Sequence, residues 1–317
     1  MTALKATDAE IIEAMRKTGS VEKAAHLLDM SARVVHSRVS RIEHQTGATL
    51  RGKQTAKVTV CRDTKPNPIE LQNGTIFVAS DCHYWPDDIP TAHRAFVKLS
   101  KKLGPEIVVI NGDEMDGAAI SRHGRNGWEA RPTIAGEIKA VQDRLQEIKR
   151  ANPGAHLLGT FGNHPPRLDT YLAAHAAAME GVKGMKYEDL VPAWTYAWAW
   201  LVNGHTLIKH RIKGGIHATW NNTADAQINT VTGHMHNLRI TPRTTMSPLN
   251  GGNLYGVDCG MLADPWGPQF GYVEQGPRNW RAGFAVLTFK DGVLMPPELC
   301  QVVTEGEVFF RGQLIAV

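Results

Sequence analysis

The spacing of apolar positions changes character once along this chain. Over residues 8–50 they recur at helical intervals, and from residue 69 onward they come as short β-branched runs separated by amphipathic stretches. Ile11, Ile12, Ala14 and Met15 give a first helix its apolar face, and Gly19-Ser20 ends it and caps the next. Ala24, Ala25, Leu27 and Leu28 make a second helix suited to close packing. Asp29-Met30-Ser31 turns into a third, striped by Val35, Val39 and Ile42, with Arg33, His36, Arg38 and Arg41 off that stripe. Residues 48–60 are expected as a hairpin turning at Gly52-Lys53, and the polar, proline-bearing run after it as a linker. The expected organisation is a small helical domain over 1–62, a linker over 63–68 and a large domain over 69–317.

In the large domain, two apolar runs around Asn73-Gly74 predict a hairpin whose second strand ends on Asp81-Cys82-His83. A helix over 92–103 returns the chain to a buried strand, 106–110, that ends on Asn111-Gly112-Asp113-Glu114-Met115-Asp116. A helix over 133–150 precedes a strand over 155–160 that ends on Phe161-Gly162-Asn163-His164. Glu137, Lys139, Asp143, Arg144 and Glu147 read as the solvated face of that helix. Two more strands flank Asn203-Gly204, with His210 where the second leaves the pairing, and Gly233-His234-Met235-His236 follows. Alternation of strand and helix predicts the α/β class. Trp194, Tyr196, Trp198 and Trp200 alternate as packing residues.

Composition narrows the setting. The chain has 317 residues, 42% hydrophobic and 21% charged, which suits a globular protein with a substantial core. Its net charge of +4 permits a polyanionic partner without requiring one. Four scattered cysteines form no CxxC pair and read as reduced thiols. The N-terminus has no apolar signal core and no run reaches membrane-spanning length, so the expectation is a cytoplasmic protein with no membrane partner. Fourteen histidines are many, and several stand beside Gly, Asp or Asn where strands end, the places where ligands and metals collect in α/β sheets. Asp81 and His83, two apart on an extended segment, share a side and suit one ion.

Taken in order, DxH, GDxxD, GNH, an isolated His and GHxH over residues 70–290 resemble the calcineurin-like metallophosphoesterase superfamily. The runs Gly256-Val257-Asp258-Cys259-Gly260 and Asn279-Trp280-Arg281 look like its phage and prophage members. The resemblance implies a four-layer αββα sandwich. It implies one metal on Asp81, His83, Asp113 and His236, and a second on Asp113, Asn163, His210 and His234. It also implies Asp113 as the bridge, Asp116 as an orienting carboxylate and His164 as the acid that protonates the leaving group after in-line attack by a hydroxide between the ions. Mixed N/O ligation points to two divalent transition ions, manganese first, with iron, zinc or nickel also suited. Pro165-Pro166 stands where the family often has Glu or Asp after the GNH histidine. His217 is the rival to His210 as the isolated histidine. Arg122, His123, Arg167 and His217 are possible substrate contacts.

Residues 19–50 and their flanks resemble the winged helix-turn-helix head of LysR-type regulators. That resemblance implies DNA contacts from Arg33, His36 and Arg38 and, on the wing, from Lys53 and Lys57. The combined expectation is a DNA-directed phosphodiesterase or nuclease. The alternatives are a phosphomonoesterase or nucleotide phosphodiesterase whose head makes a homodimer, or a DNA-binding regulator with a vestigial phosphoesterase domain.

Overall fold

The computed structural model describes residues 6–46, 56–60, 65–122, 124, 127–129, 131–179, 181–246, 252–274 and 278–317. The chain divides into two compact units, Met1–Thr55 and Ala56–Val317.

The first unit contains three helices, as the apolar spacing predicts. Helix α1 (Asp8–Thr18) starts at a capping box in which Thr7 and Glu10 satisfy each other's backbone amides, and it stops at Gly19 in the left-handed conformation. Ser20 caps α2 (Val21–Leu27), and α3 (Ala32–Thr46) follows a short turn. Ile11, Met15, Ala24, Val35, Val39 and Ile42 form the shared core. Arg33 and His36 are exposed on α3, but Arg38 is not. Its guanidinium is 12% exposed and donates to the Asp8 carboxylate and the Ala6 carbonyl. Arg38 therefore ties α3 to the start of α1, and its expected role as a DNA reader is corrected on that ground.

Most of the expected wing, Lys53 included, lies outside the described residues. Its last part belongs to the second unit. Lys57–Val58 is strand β1, paired antiparallel with β2 (Asn67–Glu70), and the Lys57 ammonium meets the Glu70 carboxylate at 3.2 Å. Lys57 is thus a sheet residue rather than a wing contact. The boundary falls earlier than 62, because the Ala56 carbonyl already accepts from His156 Nε2 at 2.8 Å. Residues 67 and 68 are strand rather than linker.

The second unit is built on two sheets. In the larger the order is β16 (Gln313–Ala316), β15 (Glu307–Phe310), β14 (Glu298–Thr304), β12 (Gly283–Lys290), β3 (Gly74–Ala79), β4 (Ile107–Ile110), β5 (His156–Thr160) and β6 (Thr195–Ala197), with β13 (Val293–Leu294) beside β12. In the smaller, β1 and β2 are followed by β7 (Trp200–Val202), β8 (Thr206–Ile208), β9 (Asn229–Thr232), β11 (Asn253–Asp258) and β10 (Arg239–Thr244).

Strands β3, β4 and β12 are buried on both faces, and their alternation sorts two cores. Phe77, Val108, Ile110, Phe284 and Val286 pack against α4 (Thr91–Leu103) and α5 (Ile134–Ala151) through Phe96, Leu99, Val141 and Leu145. Ile76, Val78, Ile107, Val109 and Leu287 pack against the smaller sheet through Ile69, Trp200, Val202, Ile208 and Val231. Each such side chain contributes about 1.5–3 kcal/mol of burial. Helix α8 (Ala218–Ala226) covers the far face of the smaller sheet, where the backbone of Thr219 comes so close to β11 that only Gly256 fits. The resulting layers run helix, sheet, sheet, helix. Two shorter helices, α6 (Pro166–His175) and α7 (Tyr187–Leu190), sit on the loops after β5. No helix among the described residues is long and apolar enough to cross a membrane.

The hairpin expected at Asn73-Gly74 does not form. β2 and β3 enter different sheets, because β3 is already flanked by β4 and β12. The second expected hairpin does form, between β7 and β8, with both turn residues at positive φ (Asn203 49°, Gly204 73°).

Candidate metal centre and active site

Strands β3, β4 and β5 are parallel neighbours in one sheet, and β8 and β9 are parallel neighbours in the other. Asp81 and His83 follow β3, Asp113 and Asp116 follow β4, and Asn163 and His164 follow β5. His210 follows β8, and His234 and His236 follow β9. All of these side chains therefore leave the C-terminal ends of strands. The loops are stitched across strands: Asp81 N–H donates to the Gly112 carbonyl (3.0 Å), His83 N–H to that of Asp113 (2.9 Å) and Gly233 N–H to that of His210 (2.9 Å).

Five of these residues, Asp81, His83, Asp113, His234 and His236, lie at positive φ, from 38° to 70°. Side-chain-bearing residues in that region cost on the order of 1–3 kcal/mol each, and such strain concentrates at functional sites. The loops between the two sheets are held in a shape that the fold itself does not favour.

Two clusters result. Asp81 Oδ1 lies 3.0 Å from His236 Nε2 and 3.9 Å from His83 Nε2, while Oδ2 accepts from Ser80 Oγ (2.5 Å) and the His234 amide (2.8 Å). Asp113 Oδ2 lies 3.0 Å from His210 Nε2, and Oδ1 accepts the amides of Asn163 and His164, both at 2.9 Å. His210 Nδ1 hydrogen-bonds the Asn111 carbonyl at 2.7 Å, which fixes its proton there and leaves Nε2 facing Asp113 and, at 3.3 Å, Asn163 Oδ1. A Cβ on Gly162 would stand 2.0 Å from Asp113 Oδ1, so the close approach of β5's loop to Asp113 requires glycine.

These residues fit divalent metal ions. Asp81, His83 and His236 bring ligand atoms within 4.8 Å of one another, and so do Asp113, His210 and His234. Both ring nitrogens of His83 and Nδ1 of His236 are buried with no hydrogen-bond partner among the described residues. An unmet buried polar group costs about 1–3 kcal/mol, and a metal bond removes that cost. The donors are nitrogen and oxygen, which suits borderline transition ions.

The electrostatics agree. Burial works to raise the Asp113 and Asp81 carboxyls, yet the surrounding imidazoles hold both below the usual range. Burial works to lower His210, yet Asp113 and Asp81 push it up to about 9. The two carboxylates create a place that calls for positive charge. Burial depresses His83 and His234, keeping them neutral as metal ligands must be.

A second arrangement adjoins the first. His164 Nδ1 lies 2.9 Å from both the backbone oxygen and Oδ1 of Asp116. Arg167 donates to the same backbone oxygen at 2.8 Å, and its other nitrogen is 3.4 Å from His164 Nε2. Burial opposes protonation of His164, but Asp113 and Asp116 outweigh it and raise its pKa. Asp116 thereby supplies the polar partner that Pro165-Pro166 cannot. It also lies 3.3 Å from His83 Nδ1, so it orients residues of both arrangements.

The remaining candidates divide plainly. His217 is exposed at the start of α8 and stands outside the clusters that His210 joins. Arg122 is exposed on the loop after Asp116, and His123 lies outside the described residues.

Several contributors were not anticipated. Glu137 is no part of a solvated face: it is fully buried and accepts the amides of Gly117 (2.6 Å) and Ala118 (3.0 Å), fixing the loop after Asp116. Its spacing from Val141, Leu145 and Ile148 placed it on the apolar stripe, which was the available signal. Glu114, beside Asp113, is buried and takes a hydrogen bond from Tyr196 Oη. Burial pushes Glu114, Glu137 and Asp258 each up to about 7. Phe270 and Trp280 wall the first cluster, their rings 5.3 Å from His83 and 4.6 Å from His236. Of the expected packing aromatics, Trp194, Tyr196 and Trp200 are buried, whereas Trp198 is 60% exposed.

No protein-family model matches the chain, and no curated protein matches it. Two solved structures are similar to it. One is a conserved uncharacterized protein, a predicted phosphoesterase, from Streptococcus pneumoniae TIGR4, 13% identical, covering 76% of this chain and 99% of that chain with a TM-score of 0.31. The other is Yfce, a phosphoesterase from E. coli, 17% identical, covering 70% of this chain and 97% of that chain with a TM-score of 0.32. Likeness at that level does not bear on chemistry, which rests on the geometry above.

Proposed function

We propose that the protein is a two-metal phosphoesterase that hydrolyses phosphodiester bonds. One ion would be held by Asp81, His83, Asp113 and His236, the other by Asp113, Asn163, His210 and His234. The observation that carries this reading is the convergence of these donors from five strand ends on strained backbone, with three buried imidazole nitrogens left unpartnered. Divalent ions there would supply Lewis acidity toward phosphoryl oxygens and a nucleophilic water at neutral pH. Manganese is the first choice, with iron, zinc and nickel sharing its ligand preferences.

The chain's own residues account for the rest. Only Asp81 and Asp113 among the ligands carry charge, so the centre stays positive enough to attract a phosphate. His164, held through Nδ1 by Asp116, presents Nε2 as the proton donor to a departing alkoxide, and its raised pKa keeps that proton on near neutral pH. The Arg167 guanidinium beside it adds positive charge for the ester's oxygens.

Within this reading the substrate is DNA, brought by the first unit in a cytoplasmic setting. What supports it is the exposure of Arg33 and His36 on α3 together with the net charge of +4. A second reading has the first unit pair two copies of the chain, favoured by Leu27 and Val34, apolar yet 53% and 46% exposed.

The test is turnover of bis(p-nitrophenyl) phosphate by metal-depleted protein resupplied with Mn²⁺, Fe²⁺, Zn²⁺ or Ni²⁺, beside the corresponding monoester. Turnover of the diester above the monoester supports the reading, and no turnover with any of the ions overturns it. Removing residues 1–55 should weaken duplex DNA binding and spare the chromogenic substrate. Unchanged DNA affinity with loss of a dimer would transfer support to the second reading.

A further inference from the structure

Beside His164 the structure holds a cavity of about 430 Å³, a size typical of small-molecule sites. Asp116, His164 and Arg167 line it, together with Trp85, Gln269 and Tyr272. Gln269 is only 6% exposed, and neither its Oε1 nor its Nε2 has a hydrogen-bond partner among the described residues. A buried amide with both ends unmet is costly unless a ligand meets them. The matching ligand carries a donor and an acceptor side by side on a rigid edge. Half-buried Trp85 and half-exposed Tyr272 offer aromatic faces in the same cavity, which suits a flat ligand. Arg131, ion-paired to Glu129 at 2.9 Å, contributes a polar wall.

We infer that this cavity receives the nucleobase of a nucleoside leaving group, with Gln269 reading the base edge and Tyr272 and Trp85 contacting its face. The inference rests on the phosphoesterase reading for its orientation, because His164 is the proton donor to the departing oxygen and it lines this cavity. In the reaction, water adds its oxygen to phosphorus and the bond from phosphorus to the nucleoside oxygen breaks. That oxygen takes the proton from His164 Nε2, which is restored from water. A base contact on the leaving side makes the enzyme selective for the nucleotide following the cut and indifferent to good leaving groups that lack a base.

The direct test is calorimetric titration of the full chain with the four deoxynucleosides, which carry no phosphate and need no metal. Binding that differs at least about five-fold between bases supports the inference. Gln269→Ala should shrink the differences to within about two-fold. Tyr272→Ala, at an exposed position that leaves folding intact, should weaken all bases alike by roughly five-fold or more, as loss of a stacking face does. Dinucleoside monophosphates should also show a KM at least about ten-fold below that of the methyl ester of the same nucleotide. No nucleoside binding at millimolar concentration, or an unchanged base order in Gln269→Ala, overturns the inference. Failure of this kind with intact bis(p-nitrophenyl) phosphate turnover leaves the phosphoesterase reading standing. Base-selective binding without turnover of any ester would instead sink the phosphoesterase reading and with it the leaving-group assignment.

Discussion

Gly162→Ala adds one methyl at a place where there is no room for it. The new carbon would lie 2.0 Å from Asp113 Oδ1 and 2.8 Å from the Asp113 backbone nitrogen. No rotation of a flexible side chain relieves this, because Oδ1 is held by the amides of Asn163 and His164 at 2.9 Å. Either the loop after β5 withdraws and gives up those bonds, or Asp113 turns away from His210. Hydrogen bonds to a charged group are worth about 1.5–3 kcal/mol each, so losing one to two of them destabilises the chain by roughly 2–4 kcal/mol. A displacement near 1 Å at the reacting centre lowers turnover about 100-fold. Gly154→Ala is the control, since nothing among the described residues lies within 4 Å of its added methyl. The assay is diester turnover with saturating metal, alongside urea unfolding. Turnover in Gly162→Ala within about three-fold of the parent would refute the placement of Asp113 against this loop.

Two further outcomes follow from the same geometry. His164→Ala should slow alkyl esters by about 100-fold or more and p-nitrophenyl esters far less, since only a poor leaving group needs the proton; equal losses for both would remove His164 as the acid. Glu137 is held up to about 7 by burial, well above its ordinary value of 4.5, so the folded chain binds the extra proton between those values. Its contribution is fully present below pH 4.5 and is lost as the pH rises through 7, with a slope up to about 1.4 kcal/mol per pH unit. Glu137→Gln should flatten the fall of the urea midpoint between pH 5 and 8, with Glu114 and Asp258 maintaining the remainder, and an unaltered slope would contradict the buried carboxyl.

The strand ends were legible because each combines a short apolar run with a glycine and a short polar side chain, signals that lie within a few residues. Asp81, Asp113, Asn163, His210, His234 and His236 could all be read this way, and the structure gathers them at one edge. Pairings across distance were less accessible. The turn at Asn73-Gly74 reads as a hairpin because local residues name a turn, whereas the partners of β3 are strands at residues 107–110 and 283–290. Arg38 looked like an outward-facing base because its partner Asp8 lies thirty residues earlier. Asp116 was read as a turn carboxylate of uncertain worth, since its contacts with His83 and His164 arise only when two loops meet. Glu137 is different: its position on the apolar stripe was visible, and its charge type was allowed to override it.

The central claim is that two metal ions share Asp113. Its most direct test is metal content by plasma mass spectrometry after reconstitution with Mn²⁺ and removal of unbound ion. The account predicts two ions per chain for the parent and at most one for Asp113→Asn, with diester turnover lost in step. One ion or fewer in the parent, or two retained with full activity in Asp113→Asn, would contradict it.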